Sequence, residues 1–149
     1  MEFKIPHPLK QEHEELHNML RKATQLSDKT GEAAKTVAKL MHPHFEKEEE
    51  YALPPLGLLP LITSGKLSEE MKQVIILTDK LKKELPEMLA EHQHIVNALK
   101  VMIQHAKTEG HPEFVAFAER LMLHAHTEEE VSYPTAILIG DYVKLRLGL

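Results

Sequence analysis

The feature that most narrows what this chain can fold into is a repeated motif with unusual chemistry. "HFEKEEEYALP" at 44–54 and "HAHTEEEVSYP" at 124–134 share one template: His, three residues, three glutamates, three residues, Pro. A His and a Glu four positions apart share a helix face, with Cβ atoms ~5–6 Å apart. The apolar residues upstream keep step with that face. Ala34, Val37, Met41, His44, Glu48 and Tyr51 advance by 3, 4, 3, 4, 3, and so do Phe114, Phe117, Leu121, His124, Glu128 and Val131. That spacing is the buried seam of a bundle helix. Each motif should therefore put a His and a Glu at consecutive core positions, rather than form an exposed acidic helix end.

Two other segments, "EHEELHNML" (12–20) and "EHQHIVNAL" (91–99), share the pattern Glu-His-x-x-apolar-x-x-x-Leu. Their seams run Leu9, His13, Leu16, Leu20, Ala23 and Leu85, Met88, His92, Ile95, Leu99, Met102, with one His in each apolar ladder. His13 precedes His44 by 31 positions, and His92 precedes His124 by 32. The chain thus reads as one domain over 1–149, built by internal duplication of roughly 9–56 and 85–136. Histidines also occur two apart, as His42/His44, His92/His94 and His124/His126. Residues two apart on a helix point ~200° apart, so only one of each pair can face inward. The seam selects His44, His92 and His124 and leaves His42, His94 and His126 at the surface.

The rest of the chain punctuates helices. Pro8 suits the first turn of a helix ending near Ser27, and "SDKTG" is a turn. Thr30 opens a second helix to about Leu53, which Pro43 should kink or split. The segment 54–66 is an apolar connection, with a lid or a homodimer contact as the sharper reading of it. Ser68 starts a long third helix to about Thr108 with a bend expected at Pro86, and Pro112 opens the fourth. Pro134 should bend or end that fourth helix ahead of a short apolar tail. The expected fold is all-α: an antiparallel up-down four-helix bundle with a short C-terminal helical tail.

Such a bundle aims four imidazoles and two carboxylates at one interior, and no Lys or Arg lies on a seam to pair with them. Burying two unpaired carboxylates costs several kcal/mol each, roughly. A cation resolves the conflict economically. With no cysteine in the chain, thiolate zinc sites, iron–sulfur clusters and disulfides are excluded. Imidazole plus carboxylate suits iron, manganese or zinc. Six side chains exceed one tetrahedral ion and suit two ions ~3.5–4 Å apart, with the glutamates bridging. The acidic balance, net charge −5 with no basic stripe, argues against a nucleic-acid partner. No stretch is apolar enough for a bilayer and "MEFKIPHPLK" lacks a signal-peptide core, so the expected location is cytoplasmic, without a membrane partner.

On "EHEEL", "HFEKEEEYALP", "EHQHI" and "HAHTEEEVSYP", the chain resembles the hemerythrin-like, HHE cation-binding domain family over about residues 9 to 135. The resemblance implies a four-helix bundle around a non-haem di-iron centre, held by His13, His44, Glu48, His92, His124 and Glu128. The two irons would be bridged by the carboxylates and an oxo or hydroxo group, with zinc or manganese as substitutes. It also implies a small partner: O2, peroxide or nitric oxide. Oxygen-carrying hemerythrins use a fifth histidine, from a His-x3-His on the third helix. Here the positions four before and four after His92 are Met88 and Val96. His17, one turn past His13, is the candidate extra ligand. Alternatives to oxidant chemistry are a metal buffering or storage protein, or a zinc-bound structural bundle.

Overall fold

The computed structural model describes residues 1–149, and its regular secondary structure is entirely helical, with no strand. α1 spans His7–Thr24, with Pro8 in its first turn. α2 spans Lys29–Lys47 and α4 Val74–Thr108; between them lie two 3₁₀ segments, Pro54–Leu58 and Glu69–Gln73, and a short α3, Leu59–Thr63. α5 spans Pro112–Thr127 and α6 Tyr133–Leu147. No helix is long and apolar enough to cross a membrane.

The start of α2 shows how the far end of the bundle is tied. Asp28 caps it, accepting from the Gly31 amide at 3.2 Å. Glu109, just past α4, accepts from the Lys29 and Thr30 amides at 3.1 and 2.7 Å and from the Thr30 hydroxyl. These two carboxylates satisfy three amides that a helix N-terminus otherwise leaves unpaired. His111 bonds the remaining Asp28 oxygen at 2.6 Å.

The prolines do not break the helices that contain them. Pro43 and Pro86 lie inside α2 and α4 without splitting either helix. Pro134 does not end helical structure; it sits in the first turn of α6, which follows α5 and its π-turn without a break and runs for 15 residues. The chain accommodates Pro54 and Pro134 by widening the turn ahead of each. Glu48–Ala52 and Glu128–Ser132 are π-helical, so the Leu53 amide reaches back five residues to the Glu48 carbonyl at 2.9 Å, and Tyr133 does the same to Glu128. A proline ring presses on the carbonyl four residues earlier and donates no hydrogen bond, so a wider turn relieves both problems. The extra residue shifts the seam. Val131, expected in the core, is 56% exposed, while Ser132 and Tyr133 are buried.

Two apolar cores result. One gathers Leu16, Leu20, Val37, Met41, Phe45, Ile95, Leu99, Phe117 and Leu121. The other gathers Tyr51, Leu53, Leu56, Met71, Leu81, Met88, Tyr133 and Ile139. Between them each rod contributes polar residues: His13 from α1, His44 and Glu48 from α2 and its π-turn, His92 from α4, His124 and Glu128 from α5 and its π-turn. α6 closes on α4 at Gly140, where a Cβ would stand 1.9 Å from the Thr78 hydroxyl.

Candidate metal centre

All six polar side chains of this layer are buried, from 0% exposure for Glu48 to 9% for His124. Each imidazole turns Nε2 inward. His44 Nε2 lies 2.9 Å from Glu48 Oε1, and His92 Nε2 lies 3.3 Å from Glu128 Oε1. On the other side, His13 Nε2 is 3.7 Å from Glu48 Oε2 and 3.6 Å from Glu128 Oε2, and His124 Nε2 is 3.2 Å from Glu128 Oε2. The layer therefore resolves into two four-residue groups that share both glutamates: His44 and His92 in one, His13 and His124 in the other. Each carboxylate offers one oxygen to each group.

The outward nitrogens are tethered by carboxylates from neighbouring elements. His44 Nδ1 bonds Glu91 at 2.8 Å, His92 Nδ1 bonds Glu129 at 3.0 Å, and His124 Nδ1 bonds Glu12 at 2.5 Å. His13 Nδ1 faces Glu49 at 3.7 Å, beyond a hydrogen bond. The two halves of the chain mirror one another here. The residue before one α1/α4 histidine holds the opposite α5/α2 histidine, and the residue after each inner glutamate faces the α1/α4 histidine. A carboxylate on Nδ1 takes that ring's N–H and leaves the Nε2 lone pair directed inward, the tautomer a metal ligand requires.

These residues fit a cation by a direct test: polar atoms without partners. His13 Nε2, His124 Nε2, both Glu48 oxygens and Glu128 Oε2 are buried with no hydrogen bond. The 2.9 Å approach of His44 Nε2 to Glu48 is a proximity without hydrogen-bond alignment. No lysine or arginine pairs with Glu48 or Glu128; the nearby Lys47 is engaged by Glu91 at 2.6 Å and Glu87 at 3.4 Å. Natural proteins seldom leave buried polar atoms unpaired, and each costs about 1–3 kcal/mol, more when charged.

The electrostatics show the same tension. Burial pushes His92 down, and the neighbouring His44 pushes it further. Burial also holds His124 down. Burial works against a charged His44 too, but Glu48 and Glu91 outweigh it and the net shift is upward. The two carboxylates thus favour positive charge at the His44 position, which is the charge a bound cation would supply.

Outside the layer, His17 is exposed and belongs to neither group. It lines a groove of about 470 Å³ between α1 and α2 with His13, Arg21, His42, Phe45 and Glu46. His42, His94 and His126 are exposed, His42 pairing with Glu46 at 3.0 Å. Asp28, Glu109 and His111 also lie within ligand distance of one another, but the two carboxylates are already spent on capping α2. One residue at the layer escaped the sequence reasoning altogether. The Tyr133 hydroxyl sits 3.3 Å from His44 Nε2 and 3.2 Å from His92 Nε2. The signal for it was the duplicated Pro: Leu53 and Tyr133 both stand five residues after the inner glutamate and one before the proline.

The model of the hemerythrin HHE cation-binding domain matches residues 4–136. No curated protein and no solved structure matches significantly. Since the match takes in every residue of the buried polar layer and most of the chain, the protein belongs to the hemerythrin family of HHE cation-binding domains.

Proposed function

We propose that the chain is a non-haem di-iron protein that binds or reacts with a small oxidant: O2, peroxide or nitric oxide. The observation that carries this reading is the sharing of both carboxylates. Glu48 and Glu128 each turn one oxygen to the His44/His92 pair and the other toward the His13/His124 side. Each group would hold one ion through two imidazoles and one oxygen of each glutamate. Four protein donors per ion suit iron and leave room for a further ligand. Bound ferrous iron supplies the one-electron exchange that an oxidant requires.

The chain's own residues do the rest. Glu12, Glu91 and Glu129 fix ring orientation and tautomer, and so raise the basicity of the nitrogens facing in. The apolar cores on either side exclude water. No nucleophile stands beside a general base in this layer, so hydrolytic chemistry is not part of the proposal.

The antiparallel up-down arrangement and the internal duplication belong to this reading as well. They are supported by the order in which partners meet: Thr30 with Glu109, His44 with Glu91, Lys47 with Glu87 and Glu50 with Lys80. The matching π-turns support the duplication.

The test is metal content and absorption spectrum after anaerobic loading with ferrous ion, followed by air. Two irons per chain and a visible band that develops promptly on exposure are expected. Two irons released slowly to a chelator with no band would indicate storage. Zinc alone, or no metal, would refute the proposal.

A further inference from the structure

The two halves of the layer are related by the sequence repeat, yet one position breaks the relation. Tyr133 opens α6 directly after the π-turn and is fully buried. Its ring stacks on His92, with centroids 5.5 Å apart and 26° between planes. Its hydroxyl touches the inward nitrogens of both His44 and His92. The equivalent residue in the first repeat is Leu53, buried and without a polar atom on its side chain. On the His13/His124 side, the neighbour of the His13 ring is Phe45, with centroids 4.6 Å apart. A hydroxyl therefore serves one ion position and not the other. The π-turn is what delivers it, since the expected seam residue Val131 is turned outward.

The Tyr133 hydroxyl stands 3.3 Å from His44 Nε2 and 3.2 Å from His92 Nε2, at the inner end of a fully buried ring. A neutral phenol has one hydrogen to donate, and the acceptors it meets are the two Nε2 lone pairs. Those are the lone pairs a cation takes. Once they are engaged, the O–H is left in a water-poor site with its acceptors consumed, and a buried donor without a partner is strongly disfavoured. A small ligand bound at that position, carrying a lone pair or negative charge, restores the bond.

We propose that Tyr133 is the positioning residue that donates a hydrogen bond to a small anionic ligand at the His44/His92 position. This rests on the di-iron reading above. Azide is the probe. Iron-loaded wild type, Tyr133→Phe and Tyr51→Phe are titrated and followed by visible absorption, after iron content has been measured for each. Tyr51 is the control, a buried phenol whose hydroxyl goes to the Met88 sulfur at 3.6 Å, outside the polar layer.

The expected result is unchanged iron content in all three, azide binding weakened about tenfold in Tyr133→Phe, and no change in Tyr51→Phe. Tenfold is what one lost hydrogen bond of ~1.4 kcal/mol produces. A second readout uses the unsubstituted protein: the infrared stretch of bound azide should shift between H2O and D2O. Equal azide affinity in Tyr133→Phe at equal iron content would overturn the proposal, as would an isotope-insensitive stretch. So would an absorption band present before azide in wild type and absent in Tyr133→Phe, because the phenol would then be a ligand itself. A wild type that takes up no iron fails the di-iron reading, and this inference with it. Full iron with equal azide affinities fails this inference alone.

Discussion

Replacing Glu48 by Leu should stabilise the protein without metal and destabilise it with metal, a reversal of sign that few buried positions would show. Glu48 is wholly buried, neither of its oxygens has a hydrogen bond, and no lysine or arginine pairs with it. Its compensating neighbours in the metal-free protein are imidazoles alone: His44 at 2.9 Å, whose ionisation is raised by that contact, and His13 at 3.7 Å. Removing a buried polar group that has no hydrogen bond relieves a cost of about 1–3 kcal/mol, more when it is charged. For a chain of 149 residues, 1 kcal/mol moves Tm by roughly 2–4 °C. Metal-free Glu48→Leu should then melt about 4–8 °C above metal-free wild type, taking ~2 kcal/mol as the gain. With metal at 1,000 times its dissociation constant, wild type gains about 4 kcal/mol, whereas the variant, missing a shared ligand, gains little. The order of melting temperatures should invert. The assay is differential scanning fluorimetry of both proteins, chelator-stripped and metal-saturated. Should Glu48→Leu melt below wild type by the same margin in both states, the carboxylate would be an ordinary packed residue and the reasoning would fail.

Other perturbations separate the layers around the site. Glu91→Ala and Glu12→Ala remove the carboxylates that hold His44 and His124, and should weaken metal binding ~10–100-fold in competition with a chromophoric chelator. Combined His44→Ala and His124→Ala should abolish stoichiometric loading, while His42→Ala with His126→Ala, both exposed, should leave it intact. Gly140→Ala drives a methyl group into Thr78, 1.9 Å from its hydroxyl and 2.6 Å from its Cβ, so a rotamer change alone cannot relieve it. It should cost ~1–3 kcal/mol in thermal melts. The Asp28–His111 bond predicts a stability window in pH. The bond to Asp28 raises His111, so its contribution is complete below about 6.5 and is lost as pH climbs through the raised value. The bond to His111 lowers Asp28, so its contribution is complete above 3.8 and is lost as pH falls through the lowered value. The Tm difference between wild type and His111→Gln should be widest between those two ordinary values and narrow on either side.

How much of this was legible in the sequence can be judged residue by residue. The burial of His44 and Glu48, and of His124 and Glu128, was readable because a 3-4 apolar ladder leads directly into each pair. The same ladder chose His92 over His94. Beyond the glutamates the ladder places Tyr51 in the core correctly but fails at Val131, because periodicity assumes an unbroken α-helix. The π-turn before each proline inserts a residue, which turns Val131 out and brings Tyr133 in. Glu12, Glu49, Glu91 and Glu129 stand next to the ligands in sequence, so a role in orienting imidazoles was readable, but which histidine each holds was not, since Glu12, Glu91 and Glu129 each grip one on another element. Such a pairing depends on the crossing of two rods rather than on spacing along one. Pro43 marks a further limit. A mid-helix proline predicts a kink or a split, and α2 runs through the exposed Pro43 without splitting.

The central claim is that the shared glutamates join two ions across the bundle. Anomalous scattering from crystals of the iron-loaded protein, collected at the iron edge, tests it most directly. Two peaks ~3.5–4 Å apart are expected, one beside the Nε2 atoms of His44 and His92 and the other beside those of His13 and His124, with Glu48 and Glu128 between them. A single peak, or peaks only at exposed histidines, would contradict it.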